Sequence, residues 1–204
     1  MMKFLKWIIC SVMLIIFIIL GILTLGGKDI FIDSFVYDFI SKYITSNLTI
    51  IVKYLTYLGS ALVVISATLL VLIIFKDKKY FKYISLNLIL ITLFQLILKN
   101  IFSRERPIDI NLIEETGYSF PSGHSLTAFA FYGFIIYLIN ISKLNKRSKI
   151  IYTILFSLII LIVGVSRVYL GVHYFTDVIG AYTFSLAYLI IYISLVKNKL
   201  IEYK

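Results

Sequence analysis

Cysteine, proline, histidine and acidic residues are all scarce in this chain. Of its 204 residues one is Cys, two are Pro, two are His and ten are Asp or Glu. The lone Cys10 lies inside an apolar run, which excludes a disulfide scaffold. Two His and one remote Cys give no zinc or di-iron constellation, so neither a metal nor another cofactor is expected. Charge is thin as well, at 15% of residues against 61% hydrophobic. Soluble domains carry roughly 25% charged and 45–50% apolar residues, so soluble, disordered, collagenous and coiled-coil classes fall away. The scarce residues are also unevenly spread. Both His, both Pro and all four Arg lie between Arg104 and His173, the first sign of a site.

What the chain has in abundance is long apolar runs. Six stretches of sixteen residues or more contain no Lys, Arg, Asp or Glu: 7–27, 54–75, 83–98, 116–142, 150–166 and 178–196. A membrane-spanning helix needs about 17–25 mostly apolar residues. The third run reaches only about 24 Å at 1.5 Å per residue, but Lys82 and Lys99 at its ends can snorkel and lengthen it. Backbone groups in lipid must be satisfied within the chain, so each run is expected to be helical. The expected fold is all-α: one integral-membrane domain over residues 1–204 with six transmembrane helices.

Charge placement orients that bundle. With a cytoplasmic amino terminus, thirteen of the twenty Lys and Arg residues fall inside. Seven fall outside: Lys28, Lys42, Lys53, Lys99, Arg104, Arg106 and Arg167. The positive-inside rule then puts both termini in the cytoplasm, and the net charge of +10 reads as loops facing anionic lipid. No soluble basic face exists, so no nucleic-acid partner is expected. The first run has Lys3 and Lys6 before it but no Ala-x-Ala-like cleavage site, and reads as a retained anchor. In the 28–53 segment Phe31, Phe35, Phe39 and Tyr43 recur every fourth residue, with Asp33 and Asp38 interleaved. That spacing suits an amphipathic helix in the outer interface, or an ordinary packed connection.

The outer loops hold the chemistry. Pro121-Ser122-Gly123-His124 opens the fourth run: Pro presets a helix start, Gly admits a close ligand, and free N–H groups at a helix start attract anions. His173 and Asp177 are spaced i, i+4, so Asp177 can accept from Nδ1 and leave Nε2 free. Lys99, Arg106 and Arg167 bring cations to the same face, and Arg forks match phosphate oxygens. Asp109, Glu114 and Glu115 are expected to do no more than solvate the loop. Arg104 is left without a role.

Together these read Lys99-x6-Arg106-Pro107, Pro121-Ser122-Gly123-His124 and Ser166-Arg167-x5-His173-x3-Asp177. The pattern resembles the type 2 phosphatidic acid phosphatase family, whose signature also occurs in bacterial acid phosphatases and vanadium haloperoxidases, and all eleven positions match. The motifs lie within 99–177. The resemblance implies a metal-free membrane phosphatase with His173 as nucleophile, Asp177 orienting it, and His124 as acid and then base. It further implies that Lys99, Arg106, Ser122, Gly123 and Arg167 hold the phosphate.

A site at the outer headgroup level of the cytoplasmic membrane suits a lipid phosphate partner in the outer leaflet. Undecaprenyl diphosphate is the leading expectation, with phosphatidylglycerophosphate or phosphatidic acid as the alternative. A lipid phosphotransferase, a vanadate-binding haloperoxidase and a non-catalytic membrane protein are the remaining readings. Oligomeric state is not legible.

Overall fold

The computed structural model describes residues 2–25, 30–75, 78–107 and 111–201. Lys28, Lys76, Asp109, Lys204 and the end of the first apolar run lie outside the described residues. Within them the chain forms eight α-helices and no strand. They are α1 (Met2–Leu23), α2 (Phe31–Ser41), α3 (Ser46–Thr56), α4 (Ala61–Phe75), α5 (Lys78–Phe102), α6 (Gly123–Ile141), α7 (Lys146–Tyr169) and α8 (Phe175–Ile201).

Five of these, α1 and α5 to α8, are long and apolar enough to cross a membrane. The sixth expected span, 54–75, is not one straight helix. The α3 helix starts before it, a 3₁₀ turn at Tyr57–Gly59 interrupts it, and α4 leaves at 52°. The cause is close packing. A Cβ on Gly59 would sit 2.6 Å from Val163 Cγ1 and 2.9 Å from the His124 carbonyl, so the chain must bend round the start of α6. A helix broken in this way leaves carbonyls without intrahelical partners, and Tyr132 Oη donates to that of Leu58 at 2.8 Å. The count reaches six when the bent pair is taken as one span.

The third, fifth and sixth runs extend past the charges that bounded them. The α5 helix gains a turn beyond Lys82 and nearly another beyond Lys99, because side chains that long need not end a helix. The fourth run is shorter than its charge-free stretch, since residues 116–122 are uncharged loop that ends at Ser122, the N-cap position of α6.

The α6 helix is the centre of the bundle, packed on α5, α7 and α8, while α1 lies along α8. Large apolar side chains such as Leu158, Leu161 and Val165 face outward, as lipid-facing positions do. Between helices, small residues and internal hydrogen bonds replace a hydrophobic driving force that lipid removes. Asn87 Nδ2 donates to the Ala130 carbonyl at 2.9 Å, and Tyr188 Oη donates to the Asn87 carbonyl at 3.1 Å. Near the loop end of the bundle, Phe120 is fully buried, with the rings of Phe17 and Phe102 at 5.5 and 5.0 Å. Its ring lies 2.5 Å from where a Cβ on Gly180 would stand, so it fits only against bare backbone.

The α2 helix shows both faces its spacing implies. Phe31, Phe35, Phe39 and Tyr43 are exposed, while Asp33 is buried. This suits a helix lying on the bundle with an aromatic stripe turned toward an interface. It packs against α7 and α8.

The α7–α8 contact depends on Gly164. A Cβ there would meet Tyr182 Oη at 2.0 Å and Val178 Cγ1 at 2.8 Å, and that hydroxyl donates to the Ile160 carbonyl at 2.5 Å. Gly164→Ala is expected to push Tyr182 off this bond and destabilise the fold by about 1–3 kcal/mol, the usual range for overpacking. A lowered thermal midpoint in detergent would show it; an unchanged midpoint would contradict the packing described.

Candidate active site

The end of α5, the start of α6, the end of α7 and the start of α8 meet at one end of the bundle, so the two signature loops share a face. Local geometry aims each side chain. Ser103 leaves α5 in the left-handed region (φ 44°), and the next residue, Arg104, turns fully inward. Gly171, also left-handed (φ 69°), folds the short link between α7 and α8 so that His173 is buried. The Leu112 amide donates to the Leu170 carbonyl at 2.9 Å and ties the two loops together.

A cavity of about 560 Å³ opens at this end. Lys99, Arg106, Glu115, Gly123, His124 and His173 line its polar part. Further along, its walls are Val64, Ile65 and Leu69 of α4 and Leu88, Ile89 and Leu93 of α5. Five of the eight expected site residues therefore share one cavity. Asp177 and Arg167 stand behind it, each bonded to a residue on its wall. Ser122 is the exception: it stands at the N-cap position of α6 without a side-chain cap, is buried, and pairs its hydroxyl with that of Ser125 at 2.9 Å.

His173 is the most tightly determined member. Its Nδ1 lies 3.3 Å from Asp177 Oδ2, and its Nε2 lies 3.1 Å from Arg106 Nη1. A guanidinium can only donate, so Nε2 must present its lone pair and the ring proton belongs on Nδ1, toward Asp177. Burial, and then the charges of Arg167, Arg106 and Lys99, push this imidazole well below its ordinary pKa, with Glu115 acting the other way. Burial and these charges thus favour the neutral ring, with the Nε2 lone pair facing Arg106 on the cavity side.

The cations are less free than the sequence suggests. Arg106 Nε donates to the Gly117 carbonyl at 2.8 Å, Nη1 to that of Val172 at 2.7 Å, and Nη2 to that of Thr116 at 3.0 Å. It therefore braces both loops as well as facing the cavity. Arg167 has no solvent exposure and donates to Thr56 Oγ1 at 3.1 Å and to Glu115 Oε2. Lys99 Nζ donates to the Tyr118 carbonyl.

Two acidic residues depart from expectation. Glu115 does not solvate the loop: it pairs with Arg167, and its other oxygen lies 4.0 Å from Arg106 Nη2. Burial works to raise its pKa, but Arg167, His124 and Arg106 outweigh that and hold the carboxyl below its usual range. A carboxylate thus stands among the cations expected to hold phosphate. Asp33 is the second. It accepts from Arg104 Nη2 at 2.8 Å, and from the Thr176 amide at 2.7 Å and hydroxyl at 2.8 Å. Arg104, without a role in the sequence, bonds Asp177 Oδ1 at 2.8 Å as well. One signal for Asp33 did exist: it lies about 200° round the helix from Phe31, opposite the aromatic stripe, at 3.6 residues per turn. Nothing comparable marked Glu115, since its pairing depends on how the 111–122 loop folds back. Among the described residues no group of three or more His, Cys, Asp or Glu is arranged to hold a metal.

Residues 80–201, more than half of the chain, match the family model described as the PAP2 superfamily. Phosphatidylglycerophosphatase B of Bacillus subtilis (strain 168) is 42% identical over 92 residues, which are 44% of this chain and 45% of that protein. The match thus spans less than half of that relative's length. The crystal structure of the first transmembrane PAP2 type phosphatidylglycerolphosphate phosphatase from Bacillus subtilis superposes with a TM-score of 0.83. Identity there is 25%, over 93% of this chain and 96% of that one. Aquifex aeolicus LpxE superposes with a TM-score of 0.64 at 25% identity, over 82% of this chain and 98% of that one. The family match and the two solved structures agree with the helical architecture. The chain belongs to the PAP2 superfamily.

Proposed function

We propose that the chain is a membrane lipid phosphatase that removes the terminal phosphate of a phosphatidylglycerophosphate-type lipid through a phosphohistidine on His173. The observation that carries this reading is the cavity itself. It joins a cationic, histidine-bearing end to an apolar passage between α4 and α5, which fits a ligand with an anionic head and a hydrocarbon tail. The printed names of the relatives favour the glycerophospholipid monoester over undecaprenyl diphosphate, which the sequence alone put first.

In this mechanism His173 Nε2 attacks phosphorus as the bond to the lipid oxygen breaks, and His124 gives that oxygen its proton. His124 then takes a proton from water. The water oxygen attacks phosphorus, the N–P bond breaks, and inorganic phosphate leaves. Lys99, Arg106, Arg167 and the Gly123 amide stabilise the charge that spreads over the equatorial oxygens. Phosphate entering this cradle must displace or share the Glu115 carboxylate. The side chains supply the positive charge that phosphoryl transfer needs, which supports a reaction independent of metal ions. The thirteen-to-seven charge asymmetry supports cytoplasmic termini and a site on the outer face of the cytoplasmic membrane.

Purified protein in detergent with excess chelator is expected to release phosphate from phosphatidylglycerophosphate faster than from phosphatidic acid or undecaprenyl diphosphate. His173→Ala is expected to reduce the rate by a factor on the order of 10⁴ or more. Unchanged turnover in that variant would remove the nucleophile assignment, and a reversed lipid order would restore the diphosphate reading. Loss of activity in chelator would remove metal independence.

Orientation has its own test. With the single native thiol removed by Cys10→Ala, a cysteine at Glu114 is expected to react with an impermeant reagent in intact cells. Labelling only after lysis would invert the topology.

A further inference from the structure

Asp33 lies far outside the signature motifs, on α2, yet it meets the catalytic machinery through Arg104. Arg104 Nη2 is 2.8 Å from Asp33 Oδ2, and its Nη1 is 2.8 Å from both Asp177 Oδ1 and Thr176 Oγ1. The guanidinium is fully buried and stacks 3.7 Å from the centroid of the Tyr174 ring. The Asp177 oxygens have separate partners. Oδ1 faces Arg104, while Oδ2 accepts from the Tyr174 amide at 2.9 Å and faces His173 Nδ1 at 3.3 Å.

We infer that Asp33 and Arg104 are positioning residues for the His173–Asp177 pair: Arg104 fixes the Asp177 carboxylate, and Asp33 offsets the Arg104 charge so that a net negative charge still faces the nucleophilic imidazole. The inference rests on the reading of His173 as nucleophile.

The charge arithmetic explains why both are needed. A buried carboxylate without a partner is strongly disfavoured, so Asp177 needs a cation to stay ionised in this site. A cation alone would cancel the charge that Asp177 offers to the imidazole. As His173 bonds phosphorus its ring becomes cationic, and that state is stabilised by net negative charge behind it. Two carboxylates sharing one guanidinium supply both conditions. The same contacts explain why α2 is anchored: Asp33 also holds the amide and hydroxyl of Thr176 in the first turn of α8. That turn carries Asp177.

The test is a pH–rate comparison that leaves the remaining groups around His173 untouched. These are Asp177 from α8, Arg167 from α7, Lys99 from α5, His124 from α6, and Arg106 and Glu115 from the loop. His173 must be neutral to attack, and loss of a nearby negative charge lowers its pKa. Asp33→Asn is therefore expected to move the acid limb of kcat/KM down by roughly 0.5–1 pH unit. It should also lower kcat about tenfold, as loss of a hydrogen bond that supports a histidine's own partner does, with little change in KM. Arg104→Gln should move the limb the other way, and the double variant, with the wild-type charge balance restored, should bring it back. Asp33→Glu, which keeps the charge, should hold the wild-type limb. Thermal midpoints in detergent, measured alongside, register any purely structural damage. Should Asp33→Asn fold poorly, the double variant against Arg104→Gln gives the same comparison. Limbs that coincide across all folded variants, while His173→Ala is inactive, would overturn the inference and leave the phosphatase reading standing. Activity retained in His173→Ala would instead remove the reading on which it rests.

Discussion

The Arg104 side chain is wholly withdrawn from solvent and lies 2.8 Å from two carboxylates, Asp33 on α2 and Asp177 on α8. Charges so placed persist only when paired and hydrogen-bonded, and removing one partner of such a pair typically costs about 3–5 kcal/mol. That constraint organises the whole end of the bundle. It brings α2 onto α8, turns the chain inward after α5, and fixes the turn that carries His173. Arg167 works the same way on the other side of the cavity, reaching from α7 to Thr56 on α3 and to Glu115 on the loop. The two buried arginines thus tie α2, α3 and the 111–122 loop to the ends of α7 and α8.

Below this polar end the molecule is held by close approach. Gly59, Gly164 and Gly180 let helices or loops touch where a single methyl would clash, and Phe120 fills the space directly beneath the loop that ends in Pro121 and Ser122. The site therefore stands on a rigid base. The apolar passage between α4 and α5 opens beside it.

The helices were legible because lipid demands long uncharged runs, but their limits were not. Lys82 and Lys99 bound the third run in the sequence and lie inside α5 in the structure, since a long basic side chain can leave a helix without ending it. The break at Gly59 was illegible, because it follows from Val163 and His124, residues far away in the chain. For the site, His124, His173, Asp177 and the three cations could be named from spacing alone, as motifs require. Their partners could not. Glu115 looks like an ordinary surface acid until the fold sets it against Arg167, and the helix spacing that turns Asp33 inward does not name Arg104 as its partner. Ser122 matched the signature, yet packing turns its hydroxyl to Ser125.

We propose that His173 Nε2, unprotonated and backed by Asp177, is the atom that bonds phosphorus. Rapid quench into alkali, where phosphohistidine survives, followed by digestion and mass spectrometry of wild type and His124→Ala, tests it most directly. A phosphoryl group is expected on the peptide containing His173, forming and decaying at rates matching turnover in the wild type. Phosphate on His124, or turnover with no phosphoryl-enzyme at any quench time, would contradict it.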